Sequence, residues 1–160
     1  MFKKKYLKTK QTIYLLGLIS FLSLSFALTF ELFGKIEPCE LCLWQRWPHY
    51  AVCLIMIFCL TNASPRLCIF LILIFSIFSF FLGAYHTAVE LNLLNSAIDC
   101  SSDVVKNVNN PISLDELLNK LPTRCDVVTF SFLGISMAGW NTLISFLMVF
   151  LSFKRILTEN

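Results

Sequence analysis

Charge is what this sequence has least of. Of 160 residues, 14% are Asp, Glu, Lys or Arg, against roughly 25% in an ordinary soluble domain. A soluble chain of this size needs more charge than that on its surface. A compact cytosolic enzyme, a disordered regulator and a nucleic-acid-binding domain are therefore all poor fits. The net charge of +3 is too small to demand an acidic partner. An internal repeat, a linker and a low-complexity tract are also missing, which predicts one domain over residues 1–160. What fills the chain instead is apolar: 57% hydrophobic residues, sixteen Phe and a mean hydropathy of +0.73.

Four stretches hold no Asp, Glu, Lys or Arg at all: 11–30, 47–65, 67–89 and 127–153. Each is about the ~20 residues that a helix needs to cross a ~30 Å hydrocarbon core. The expected fold is an all-α membrane protein, a four-helix transmembrane bundle with spans at about 11–31, 44–61, 67–87 and 128–152. Lys3, Lys4, Lys5 and Lys8 ahead of the first apolar run resemble a signal peptide. The run is longer than a usual signal core and the next span follows closely, so it reads as a retained helix.

The few charges orient the bundle. With four spans, both termini and the 61–66 turn share one side, which holds eight basic residues and one acid, a net +7. The other side holds five basic residues and nine acids, a net −4. The excess of Lys and Arg marks the cytoplasmic face. The outer loops, about 32–43 and 88–127, then face the periplasm of a bacterium. Within the second loop, Ser113 and Glu116 fit a capping box. Leu114, Leu117, Leu118 and Leu121 follow on one face and Pro122 ends the run, which predicts a short amphipathic helix on the membrane surface or packed on the bundle. Gly134, Ala138 and Gly139 suggest close helix packing in the fourth span.

The seven cysteines separate by side. Cys39, Cys42, Cys100 and Cys125 lie in the outer loops, where disulfides persist, while Cys53, Cys59 and Cys68 lie within spans and read as small apolar residues. Four outer cysteines allow three pairings. Cys39-Glu40-Leu41-Cys42 is a CxxC, a spacing used where a disulfide must open and close. Structural disulfides and a four-cysteine zinc site are the other readings of the same residues.

The neighbours of the CxxC weigh toward reactivity. Arg46 falls one turn below Cys42, where a guanidinium favours the thiolate, the reactive form. Its plainer reading is an interfacial Arg reaching for lipid headgroups. Trp44, Trp47 and Tyr50 fit an aromatic belt, and Pro48 fits the first turn of a helix. At the outer end of the third span, His86 and Glu90 lie one turn apart at about the depth of Arg46, so that His86 and Arg46 bracket room for a polar head group. A His satisfied at the interface is the plainer alternative.

PCELCLWQRWP at 38–48, GAYHTAVE at 83–90, the paired outer cysteines and RCDVVTFSFLGISMAGWN at 124–141 together resemble the DsbB family of bacterial inner-membrane thiol oxidases. The three cysteines within spans are not part of the shared motifs. The resemblance implies redox pairs Cys39–Cys42 and Cys100–Cys125 and a periplasmic DsbA-like thioredoxin-fold partner. Its implied electron acceptor is a membrane quinone, ubiquinone or menaquinone. Cys100 would form the mixed disulfide with the partner, and Cys125 would attack the Cys39–Cys42 pair. Arg46 and His86 would then hold the quinone. No metal and no nucleic acid enter this reading. Against it stand a non-catalytic scaffold stapled by disulfides and a zinc-stabilised membrane protein, neither of which needs Arg46 beside Cys42.

Overall fold

The computed structural model describes residues 2–34, 38–60, 64–94, 124–128 and 130–159. Cys100, the expected helix at 113–121 and most of the second outer loop lie outside them. The described chain is mostly helical. It comprises α1 (Phe2–Gly34), α2 (Glu40–Leu60), α3 (Pro65–Glu90), a hairpin of β1 (Ser131–Phe132) and β2 (Ile135–Ser136), and α4 (Met137–Glu159).

Among the described residues, three segments are long and apolar enough to cross a membrane: Lys5–Gly34, Pro65–Glu90 and Met137–Thr158. The expected second span coincides with α2, whose first ten residues hold Glu40, Gln45, Arg46, Pro48 and His49. They dilute its apolar character.

α1 has 33 residues, or about 50 Å at ~1.5 Å per residue, so its lysine-rich first turns extend past a hydrocarbon core. Its hydroxyls fold back on carbonyls one turn earlier, Thr9 on Lys5 and Thr12 on Lys8 at 3.0 Å, and Ser23 on Ile19 at 2.9 Å. That leaves fewer bare polar atoms in apolar surroundings. α2 starts earlier than expected. Cys39 caps it, its carbonyl accepting from Leu43 N–H at 3.2 Å and its sulfur from Cys42 N–H at 3.4 Å. Pro48 therefore lies two turns inside the helix rather than in its first turn, and denies the Trp44 carbonyl its usual donor. α3 opens on Pro65 behind Ser64, where the missing N–H is harmless. It closes on Asn92 at φ 56°, with Leu93 N–H bonding the Ala88 carbonyl at 2.9 Å.

The fourth span departs from the expected 128–152. Residues 131–136 form a two-residue hairpin, pairing Phe132 with Ile135 and Ser131 with Ser136. Leu133 (φ 54°) and Gly134 (φ 78°) make its turn, the positive-φ pair of a type I′ loop. Gly134 thus serves a turn and not helix packing; a Cβ on it would meet nothing within 4 Å. Ser136 then caps α4, its hydroxyl oxygen accepting from Gly139 N–H at 3.1 Å.

Contacts between helix ends give an up-and-down bundle. Arg46 at the start of α2 meets Glu31 at the end of α1. Cys59 late in α2 clusters with Cys68 early in α3. Arg155, late in α4, donates to Thr9 Oγ1 at 2.7 Å and also reaches the Lys5 carbonyl of α1. Three layers stack along the bundle. Toward the termini is an apolar core of Ile13, Leu16, Val52, Cys59, Cys68, Ile69, Ile72 and Met148. Above it lies a polar layer of Ser20, Gln45, His49, Ser79, Asn141 and Ser145. A small cluster of Cys39, Leu41 and Cys125 closes the top.

Candidate functional site

The top layer holds the cysteines. Cys39 Sγ lies 3.0 Å from Cys42 Sγ as its hydrogen-bond donor. The CxxC spacing across a helix start produces this closeness, because Cys39 is the cap and Cys42 the third helical residue. Leu41 and Cys125 bury Cys39, with Cys42 and Tyr85 packed against them. Cys125 is 2% exposed and Cys39 is 6% exposed. Phe130, a few residues after Cys125, stacks on Phe30 at the end of α1, the ring centroids 4.7 Å apart. That contact holds the Cys125 segment over the bundle.

The two sulfurs of the CxxC are unlike. Cys39 is pushed up to about 12, first because its hydrogen bonds the Cys42 sulfur, then because it is buried; His86 pulls the other way. Cys42 is held below the ordinary thiol value, first by the Cys39 thiol donating to it, against the opposing effect of burial. Of the two thiols, Cys42 gives up its proton more readily, and Cys39 holds its own.

Arg46 is half-buried and takes a different partner from the one expected. Its Nη1 lies 2.6 Å from Glu31 Oε2, and the Cys42 anion owes its stability chiefly to Cys39. His86 also departs from its expected place beside a head group at the surface. It is 1% exposed. Its Nε2 lies 3.6 Å from Cys39 Sγ and 3.9 Å from Glu90 Oε1, and its Nδ1 lies 2.7 Å from Gln45 Nε2. His86 therefore faces the thiol pair from the protein side. Glu90 is held in turn by the Ser136 hydroxyl at the cap of α4.

Sequence reasoning missed Gln45, Asn141 and His49. Asn141 Nδ2 donates to Gln45 Oε1 at 3.0 Å, and His49 Nε2 lies 2.8 Å from Asn141 Oδ1. The available signal was a Gln, a His and an Asn in otherwise apolar runs, because polar groups at that depth are costly unless they pair. Gly83 lets α4 approach. A Cβ there would meet Thr142 Oγ1 at 2.7 Å and Asn141 Nδ2 at 3.2 Å.

Cys39, Cys42 and His86 bring three ligand atoms within 4.8 Å of one another, a donor set suited to a soft cation. Gln45 donates to Nδ1, however, so the ring hydrogen is on Nε2, the nitrogen a metal would need. The expected four-cysteine zinc alternative includes Cys100, outside the described residues. Among the in-span cysteines, Cys59 and Cys68 are packed in the apolar core, and Cys53 bonds the Gly17 carbonyl at 3.9 Å.

A thiol of lowered pKa beside a second thiol that donates to it, with a third cysteine buried against them, is suited to thiol–disulfide exchange. Comparison with known proteins points the same way. An uncharacterized protein of Rickettsia prowazekii is 29% identical over 139 residues, covering 83% of this chain and 80% of its own length. No solved structure matches the chain. A family model described as Disulfide bond formation protein DsbB matches residues 9–154. With that match over nearly its whole length, and with three helices long and apolar enough to span a bilayer, the chain is an integral membrane protein of the DsbB family, whose activity is disulfide formation.

Proposed function

We propose that this protein reoxidises a periplasmic DsbA-like thiol oxidase and delivers the electrons, through two cysteine pairs, to a membrane quinone. In this reading the chain sits in a bacterial inner membrane with both termini cytoplasmic and the cysteine loops periplasmic. The +7 against −4 division of charge supports that orientation. The observation that carries the reading is the burial of Cys125 against Cys39, beside Cys42.

The exchange steps balance as follows. A partner thiolate attacks Cys100 of a Cys100–Cys125 disulfide and Cys125 leaves as thiolate. The partner's second thiol displaces Cys100 and the partner departs oxidised. Cys125 then attacks Cys39 of a Cys39–Cys42 disulfide. Cys42 is the leaving group, and its lowered pKa makes it a good one. Cys100 attacks Cys125, restoring that bond and leaving Cys39 and Cys42 with the electron pair and the proton on Cys39.

A quinone, ubiquinone or menaquinone, supplies a two-electron acceptor when bound. The residues at the mouth of α2 suit one: Leu43, Trp44 and Trp47 are exposed apolar side chains around half-buried Arg46. Arg46 spends one of its five N–H donors on Glu31 and keeps others for a carbonyl oxygen. His86 supports the thiols from within.

The test is turnover. Purified protein given a reduced DsbA-like protein and a soluble ubiquinone should consume the quinone absorbance, and Cys42→Ser or Cys100→Ser should abolish it. Full activity in either variant would refute the relay.

A further inference from the structure

The polar layer beneath the cysteines has a direction. Asn141 turns its amide nitrogen toward Gln45 Oε1. Its own oxygen therefore faces His49, which must donate from Nε2 across 2.8 Å. Gln45, having spent its oxygen on Asn141, presents its nitrogen to His86 Nδ1 at 2.7 Å, and that ring nitrogen must accept. His49 Nδ1 is then an acceptor, with the Ser20 hydroxyl at 3.2 Å. An imidazole nitrogen is a stronger acceptor than the Met148 thioether 3.8 Å away on the other side of Ser20. The Ser79 oxygen, 3.4 Å from His49 Nε2 and 2.8 Å from Ser145, shares the His49 hydrogen. From Ser20 through His49, Asn141 and Gln45 to His86, each link thus points from the bundle interior toward the cysteines.

We propose that Gln45, Asn141 and His49 are positioning residues, a one-way hydrogen-bond chain that fixes the His86 ring hydrogen on Nε2 and aims it at Cys39. The chain continues through sulfur: His86 Nε2–H meets Cys39 Sγ at 3.6 Å, and Cys39 Sγ–H donates to Cys42 Sγ at 3.0 Å. Donors aligned head to tail polarise one another, and the effect is greatest at low dielectric. The negative end of this chain is Cys42. Three helices thereby hold Cys42 ready as a thiolate through donated hydrogen bonds. Among the described residues, the other titratable groups facing the pair include Glu90 and Tyr85 on α3 and Cys125 beyond them, while Arg46 on α2 is paired with Glu31 on α1.

The inference concerns the cysteine pair of the proposed relay and rests on that reading for its use. It is tested without turnover, so the two fail separately. In the reduced full-length protein in nanodiscs, 15N spectra of histidine-labelled material should show His86 with Nε2 protonated and Nδ1 bare. Asn141→Asp should reverse that tautomer. A carboxylate has no N–H to give, so Gln45 must turn its nitrogen toward position 141 and its oxygen toward His86 Nδ1. The uncharged Asn141→Leu should abolish the preference and slow iodoacetamide modification of Cys42 at neutral pH about tenfold, the effect of one pKa unit. Gln45→Glu should also reverse the tautomer, and stands in if an Asn141 variant fails to fold. An Nδ1-protonated His86 in the unsubstituted protein, or Cys42 modification unchanged in Asn141→Leu, would overturn the proposal.

Discussion

At the scale of single residues, the chemistry turns on where one proton sits between two sulfurs 3.0 Å apart. Cys42 lies below the ordinary thiol range and Cys39 near 12. As pH rises, Cys42 loses its proton first and Cys39 stays protonated well beyond it. In the reduced protein, iodoacetamide at neutral pH should therefore modify Cys42 and spare Cys39, as read by peptide mapping; equal modification would contradict the assignment. Arg46→Ala should raise the apparent KM for quinone severalfold with little loss of stability. Its ion pair with a Glu31 side chain that is 36% exposed is worth no more than about 1 kcal/mol. The pairing of Cys39 with Cys42 was visible in the sequence because it depends only on spacing along the chain. The Glu31 partner and the inward turn of His86 were not, since each depends on which helix packs beside which.

At the scale of elements, the four charge-free runs mark four helices because backbone polar groups in an apolar medium leave few alternatives. The hairpin at 131–136 escaped notice because an apolar run reads as span whether or not its backbone turns. Its Leu133-Gly134 turn carries a left-handed leucine at φ 54°, a conformation that costs a non-glycine residue about 1–2 kcal/mol. Leu133→Asn should accordingly stabilise the protein by about 1 kcal/mol in thermal or denaturant unfolding. Polar pairing then sets the rotation of the helices about their axes. Asn141 on α4 joins both Gln45 and His49 of α2, in bonds worth about 0.6–2 kcal/mol each inside a membrane protein. Gly83 makes the α3–α4 approach possible. The Thr142 backbone lies 3.3 Å from where its Cβ would be, so Gly83→Ala should destabilise by about 1–3 kcal/mol. The same change should disturb the chain through Asn141.

At the scale of the whole molecule, the bundle separates its tasks along one axis. An apolar core toward the termini supplies stability, a polar layer fixes orientation, and the cysteine cluster at the opposite end meets the other cysteine loop. The sequence showed the two ends through the sorting of charges and cysteines, but not the layer between, which is built from one or two polar residues on each of the four helices. If the charge asymmetry sets orientation as proposed, a C-terminal fluorescent-protein fusion should be bright and a C-terminal alkaline phosphatase fusion inactive. The central claim is that Cys125 reaches Cys39 to join the two cysteine pairs. The most direct measurement is disulfide mapping of a Cys42→Ser, Cys100→Ser double variant under mild oxidation. A Cys39–Cys125 cross-link is the predicted product. Free Cys39 and Cys125, or either one joined instead to Cys53, Cys59 or Cys68, would contradict the account.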